Sequence, residues 1–433
     1  MKGYAEFLAS KSRAVPEVGR QVTTADVHPL LHNWQAEIVA WAVRTGRAAI
    51  WADTGLGKTM MQIEWAMLSG DTALIVAPLA VCQQTVREAE KLGVKARYIR
   101  HSDEMTGPGL WVTNYEMVEH FPPSLLDAVV LDESSILKNS SGATRTMLIN
   151  HFRPVPRRLS CTATPAPNDP EELTNQAEFL GVMSRVEMLA AYFVHDSDTG
   201  WRLKGHARGP MFRWMASWAV AIRMPSDFGY PDGGYVLPGL DIREHLLDVD
   251  VAPEGHLFAT ELGGVGGRAA IRKATMTARV EKVAELVAAE PSEPWVLWCG
   301  LNDEADAVTK LIPDAVQVHG SMSPDDKADM LLAFADGAIR VLVTKPAIAS
   351  QGLNWQHCAR TAFVGLSDSY EAYYQSIRRC YRYGQTRVVH AHIVLSALEG
   401  QIAANVRRKE VEAQRSTAEL VVAIRSEKKE LVA

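Results

Sequence analysis

Short runs that are apolar on both faces alternate with helix-forming stretches in two blocks of this chain, and that alternation constrains the fold most. The first block holds AAIWAD (48–53), TALIVAP (72–78), LWVTNY (110–115), AVVLDES (128–134) and RRLSCTAT (157–164). A strand buried on both faces belongs in a parallel sheet with helices on either side. Between the runs lie KTMMQIEWAMLSG and AVCQQTVREAEKLG, the second ending on Gly93, which suits the left-handed turn that closes a helix. The second block repeats the pattern with PWVLWCG (294–300), AVQVHG (315–320), RVLVTKP (340–346), RTAFVG (360–365) and VVHAHIVL (388–395). Within it, Ser323-Pro324 before DDKADMLLAF predicts an N-cap with proline at the first helical position. Each block predicts a doubly wound α/β domain.

At 433 residues the chain exceeds one ordinary core. The pattern predicts an N-terminal extension (1–27), a first α/β domain (28–185), an insertion or linker module (186–280), a second α/β domain (281–400) and a C-terminal helix (401–433). The insertion is rich in Trp, Gly and Pro, is expected to be mostly helical or irregular, and carries an expected helix around 211–223. Trp214 and Trp218 are four apart on one helical face and read as core, as does Trp201. Apolar content of 47% with 22% charge describes a soluble globular protein, and no apolar run is long enough to cross a bilayer. The opening residues lack an apolar signal core, and the five scattered cysteines form no CxxC pair. Both point to a reducing cytoplasm and away from a disulfide framework or a zinc site. His195 and His206 have no metal-ligand spacing around them. A net charge of −6 does not advertise nucleic-acid binding, although RRCYRYGQTR (378–387) is a local basic cluster.

ADTGLGKT (52–59) follows a strand and precedes a helix, the context a phosphate-binding loop requires. Backbone amides around Thr54, Gly55 and Gly57 can converge on phosphate oxygens with no Cβ in the way. The helix start adds its positive dipole end, Lys58 would reach the β- and γ-phosphates of ATP, and Thr59 would ligate magnesium. The first position of the pattern is Ala52 rather than glycine. Downstream, LDES places Asp132 and Glu133 at the carboxyl end of a strand. There Asp132 would hold Mg2+ and Glu133 would polarise the attacking water. SCTATPAPND (160–169) offers the hydroxyls of Thr162 and Thr164 to those carboxylates, a means of coupling between sites. In QSIRRCYRYGQ (375–385), Gln375, Arg379 and Arg382 fall on one helical face, poor core material but suited to an incoming phosphate.

In this order the motifs resemble helicase superfamily two, most closely its Swi/Snf-type DNA translocases, over roughly residues 28–185 and 281–395. LHNWQ is similar to the family's adenine-recognition motif, with Gln35 as reader. ADTGLGKT and VAPLAV resemble motifs I and Ia, and VTNYE the strand motif before motif II. LDESSILKN, with Lys138-Asn139, resembles motif II, and SCTATP motif III. VLVTKPAIASQGLNWQHC, containing Gly352, is similar to motif V, and QSIRRCYRYGQT to motif VI. The middle segment also resembles short helicases of bacteriophages and prophages. The resemblance implies two RecA-like domains in tandem with ATP between them, completed by Arg379 and Arg382. It implies stepping along DNA with each cycle, on duplex DNA first, with single strands or RNA as other tracks. It implies phosphate-backbone contacts from Thr113, Asn114, His319 and Thr344. A phage setting in DNA replication, recombination or repair would place the protein in the host cytoplasm, with a separate nuclease or replication partner. A strand-separating helicase and an ATP-gated clamp with little turnover stay open as alternatives. Where many relatives have Ala-His after Asp-Glu, this chain has Ser134-Ser135, which puts the coupling of ATP to DNA in question rather than hydrolysis itself.

Overall fold

The apolar runs of both blocks become parallel strands. The computed structural model describes residues 18–139, 142–196, 200–248, 272–349, 354–367, 369–396 and 400–432. The chain divides into two units, Met1–Asp232 with Val411–Ala433, and Gly233–Glu410.

The first unit runs α1 (Asn33–Thr45), β1 (Arg47–Ala52), α2 (Lys58–Ser69), β2 (Thr72–Ala77), α3 (Leu79–Lys91), β3 (Ala96–Tyr98), β4 (Gly109–Asn114) and β5 (Ala128–Asp132). It continues with α4 (Ala143–Phe152), β6 (Arg157–Cys161), α5 (Leu173–Leu180), α6 (Arg185–Tyr192), β7 (Phe193–Asp196), β8 (Gly200–Leu203), α7 (Arg208–Met215) and β9 (Ala219–Ile222). Seven strands form one sheet in the order β3-β4-β2-β5-β6-β1-β9, with every neighbouring pair parallel. The sheet is buried on both faces, as its sequence requires. Trp51, Leu74, Val129 and Leu131 pack with Leu148, Phe152, Phe179 and Trp218 in one core. Each such side chain contributes about 1.5–3 kcal/mol by leaving water. β7 and β8 form a separate antiparallel pair.

The segment expected as an insertion, 186–280, is shared between the units. β9 pairs with β1 at the edge of the first sheet, and β10 (Leu240–Leu247) joins the second sheet. The helix expected over 211–223 is α7, which ends at Met215. The short apolar run AVAI then becomes a fully buried strand, because the edge of β1 offers it a backbone ladder. Trp214 and Trp218 are buried and meet edge to face at 5.4 Å.

The second unit continues with α8 (Met276–Ala289), β11 (Trp295–Trp298), α9 (Asn302–Leu311), β12 (Ala315–Gln317), α10 (Pro324–Ala335) and β13 (Val341–Thr344). After these come α11 (Pro346–Ala349), β14 (Arg360–Phe363), α12 (Tyr370–Cys380), β15 (Val389–Ser396) and α13 (Gly400–Val432). Residues of α13 up to Glu410 group with this unit and those from Val411 with the first. Its six strands are also all parallel, in the order β10-β15-β14-β11-β13-β12. Ser323 Oγ accepts from Asp326 N at 3.1 Å, the expected cap of α10. A buried charge cluster fixes the start of α9. Glu304 accepts from Arg279 Nη1 (2.8 Å), Arg272 Nη2 (3.1 Å), Gly300 N (2.9 Å) and Leu301 N (3.0 Å). Burial pushes this carboxyl up, but the two guanidiniums hold it below its ordinary range. Among the described residues no helix is long and apolar enough to cross a membrane.

Candidate functional site

β1 ends at Ala52 and α2 begins at Lys58, so the five residues between must turn the chain sharply. Gly55 (φ 85°) and Gly57 (φ 73°) supply the left-handed backbone this turn needs. A Cβ at Gly57 would also lie 2.5 Å from Gln35 Nε2, so a side chain there would displace the Gln35 amide. Gln35 sits on α1 and is buried. It accepts from His32 N at 2.8 Å and donates to Leu56 O at 3.0 Å, which ties the expected adenine reader to the loop. Thr54 N donates to Asp53 Oδ1 at 2.6 Å. Lys58 Nζ donates to Ala52 O (2.7 Å) and Asp53 O (3.3 Å), so its ammonium lies over the turn. Desolvation pushes the Lys58 amine below its ordinary range, opposed by the charges of Glu133, Asp53 and Asp132. Thr59 is half-buried in the first turn of α2.

β6 lies between β1 and β5, with Cys161 level with both Ile50 and Asp132. The carboxyl ends of the three strands therefore open on one place, which brings Lys58, Asp132, Glu133 and Thr162 together. Asp132 is buried. Its Oδ1 accepts from Gln62 Nε2 at 2.7 Å and Glu133 N at 3.1 Å, and its carbonyl accepts from Tyr115 Oη at 2.5 Å. Burial pushes the Asp132 carboxyl up, against the Gln62 hydrogen bond and the Lys58 charge. Glu133 (φ 55°, ψ 52°) is the one non-glycine residue with positive φ among the described residues. A side chain there costs about 1–2 kcal/mol of backbone strain. Thr162 Oγ1 donates to Glu133 Oε2 at 3.2 Å and accepts from Thr164 N at 3.0 Å.

Among the described residues no three His, Cys, Asp or Glu side chains form a metal cage. Asp132 and the Thr59 hydroxyl are a sparse set of hard oxygen donors. Such a set suits magnesium, which binds through one or two protein oxygens, water and substrate phosphates. Thr164 Oγ1 and Gln62 Oε1 are buried without a partner at this end of the sheet. Both leave polar capacity at the site unused.

Ser134 and Ser135 face inward. Ser134 Oγ is 2.9 Å from Ser160 Oγ on β6, Ser160 Oγ also bonds Gln176 Oε1 on α5, and Gln176 Nε2 donates to Ser134 O at 3.0 Å. All three side chains are buried. Ser135 Oγ makes a longer contact, 3.4 Å, with Glu133 O. The sequence reading missed this ring, and it missed Gln62 and Tyr115. Gln62 was detectable, since it lies one helical turn after Lys58 and shares its face. Glu172 was missed too. It accepts from Asn168 N (3.1 Å) and Asn168 Nδ2 (2.8 Å), and burial pushes its carboxyl up to about 7.

In the second unit Gln375 and Arg379 are buried on α12. Gln375 Nε2 donates to Glu371 Oε1 at 3.5 Å, Arg379 Nε donates to Gln375 O at 3.0 Å, and Arg379 O accepts from Trp355 N at 3.0 Å. Arg382 lies just past the helix. Burial, then the Arg379 and Arg378 charges, push its guanidinium down to about 9. Gln385 Nε2 donates to Cys358 O (3.0 Å) and Cys380 O (3.2 Å), holding the segment after α12 against the start of β14. Gly352 lies outside the described residues.

Three of the four expected phosphate contacts are inside the protein. Thr113 and Thr344 are buried and donate to Ile99 O (2.8 Å) and Val318 O (3.1 Å). Asn114 is buried, accepts from Tyr98 Oη at 2.8 Å and donates to Glu116. Each satisfies a neighbouring segment at its own strand's end, which argues against the expected contacts. His319 is exposed, its Nδ1 2.8 Å from Ser321 Oγ.

Residues 278–384, within the second unit, match the model of the helicase conserved C-terminal domain. No curated protein matches this chain. Among solved structures it is similar to the Sulfolobus solfataricus SWI2/SNF2 ATPase core in complex with dsDNA. Identity is 16%, coverage is 93% of this chain and 97% of that one, and the TM-score is 0.45.

Proposed function

We propose that this protein is a nucleic-acid-stimulated ATPase motor that translocates on duplex DNA. The observation that carries the proposal is the convergence of Lys58, Asp132, Glu133 and Thr162 at the carboxyl ends of three adjacent parallel strands. Lys58 would leave its own turn carbonyls for the phosphates of ATP. Its lowered pKa reflects an ammonium short of solvation, which a polyphosphate would supply. Thr59 and Asp132 would hold magnesium, which supplies charge neutralisation on the phosphate oxygens. Gln62 fixes the Asp132 carboxylate by donating to Oδ1. Glu133 would orient the attacking water and accept its proton. Its strained backbone sets where that carboxylate points. Thr162 holds Glu133 Oε2, so a shift in the 162–169 turn changes the base directly. Arg379 and Arg382 are the second unit's candidates for neutralising phosphate charge, and the lowered pKa of Arg382 favours an anionic partner.

Phosphate release measured on Lys58→Ala and Glu133→Gln tests the assignment. Glu133→Gln is expected to lower turnover by at least about 100-fold, the lower bound for a lost general base, and Lys58→Ala by about 100-fold or more for a lost charge on the phosphates. Turnover near that of the unaltered chain in either variant refutes the site.

A further inference from the structure

The amino ends of β1 and β6 gather arginines in a chain of net negative charge. Arg47 opens β1, and Arg157 and Arg158 open β6, with Arg47 and Arg158 in register. Arg153 precedes them. The last turn of α1 adds Arg44, and the strip 18–20, which lies against it, adds Arg20. Arg20 has a carboxylate 3.8 Å away, on exposed Asp71. Among the described residues none of the other five pairs with an acid. Their hydrogen bonds go to main-chain carbonyls: Arg44 to Val22 O (2.9 Å), Arg47 to Pro156 O (3.0 Å), Arg157 to Val18 O (3.0 Å) and Arg158 to Phe179 O.

Arg158 is the anchor of this group. It is 2% exposed, and its Nε has no partner. The guanidiniums of Arg158 and Arg47 converge beside Gly181, where a Cβ would stand 2.6 Å from one and 3.1 Å from the other. Burial, then the Arg47 and Arg153 charges, push Arg158 down to about 9. Two half-satisfied cations held together cost stability unless an anion answers them. The C-terminal carbonyls of α5 answer part of that charge.

We infer that this pole of the first sheet is a second nucleic-acid surface, which takes a phosphate backbone on Arg44, Arg47, Arg153 and Arg157 with Arg158 behind them. It lies at the far end of β1 from the Lys58 turn, about 20 Å away for six residues at roughly 3.3 Å each. It is therefore separate from the nucleotide site. The group is all arginine, the side chain whose planar fork matches phosphate oxygens. No large exposed apolar side chain lies among residues 18–22, 43–47 or 153–158. A peptide partner would need such an anchor, whereas a sugar-phosphate chain does not.

The test is fluorescence-anisotropy binding of a labelled DNA duplex across a salt series. It compares the unaltered chain, the triple variant Arg44→Gln/Arg153→Gln/Arg157→Gln, and Arg153→Gln alone, whose side chain is exposed and braces nothing. Each lost phosphate contact lowers the slope of log K against log salt by about 0.9. The triple variant should lose about 2–3 units of slope and Arg153→Gln about one. Basal ATPase should not change in either variant, and melting temperature should not change in Arg153→Gln. Unchanged slope and affinity in both variants overturn the inference. So does intact DNA binding with loss of poly-glutamate binding, which would make the surface a site for an acidic peptide. Absence of ATPase activity from the unaltered chain would refute the proposed motor and leave this result standing.

Discussion

The buried ring of Ser134, Ser160 and Gln176 gives a prediction in which one substitution is as damaging as three. Gln176→Leu strips the donor from Ser134 O, which stays buried, and leaves Ser160 Oγ with Ser134 Oγ as its partner. An unpaired buried polar group costs about 1–3 kcal/mol, so the single change should cost about 1–3 kcal/mol. For a unit of this size that is on the order of 2–10 °C in melting temperature. Ser160→Ala should cost a similar amount, because it orphans Gln176 Oε1 and Ser134 Oγ. The triple variant Ser134→Ala/Ser160→Ala/Gln176→Leu removes all three polar side chains and leaves only the main-chain carbonyl of residue 134 unpaired. It should cost about 1–3 kcal/mol, no more than Gln176→Leu alone. Chemical denaturation of the unaltered chain and the three variants, followed by tryptophan fluorescence, measures this. If the triple variant is destabilised by the sum of the singles, the three residues do not act as a closed network.

Other perturbations follow from single contacts. Tyr115→Phe removes the donor to Asp132 O and should cost about 1 kcal/mol or more by the same denaturation assay. Gln385→Ala frees the carbonyls of Cys358 and Cys380 and should cost about 2–4 kcal/mol, measurable as a lower midpoint for the second unit. Glu172 has a folded-state pKa near 7 against an ordinary 4.5. Between those values only the unfolded chain releases the proton, so stability falls as pH rises, by about 3 kcal/mol in all. Glu172→Gln should abolish that slope, leaving the variant the more stable at pH 8 and the two alike near pH 4.5, as read by melting temperature against pH.

Much of the fold was readable in the chain because buried parallel strands announce themselves by runs apolar on both faces. β1, β2, β4, β5 and β6 lie where those runs lie, as do β11 to β15. β3, β9 and β10 were not readable. β3 is three residues long, β9 is a four-residue run hidden after a helix, and β10 (LDIREHLL) carries edge-strand charges that blur its pattern. The place of the 52–59 turn and of residues 132–133 at strand ends was legible because the apolar runs before them mark where those strands stop. The serine ring was not, because hydrogen bonds between distant segments leave no local spacing to read. The burial of Thr113, Asn114 and Thr344 was hidden for the same reason. A hydroxyl or amide at a strand end looks identical in sequence whether it faces solvent or a neighbouring carbonyl.

The central claim is that Lys58, Asp132 and Glu133 form the nucleotide site of a motor driven by its track. The most direct test is the steady-state ATPase rate of the unaltered chain with no nucleic acid, with single-stranded DNA, with duplex DNA and with RNA, each repeated on Glu133→Gln. The account predicts a low basal rate, the largest stimulation by duplex DNA, and no stimulated turnover in Glu133→Gln. A rate that no nucleic acid raises, or stimulated turnover that survives Glu133→Gln, would contradict it.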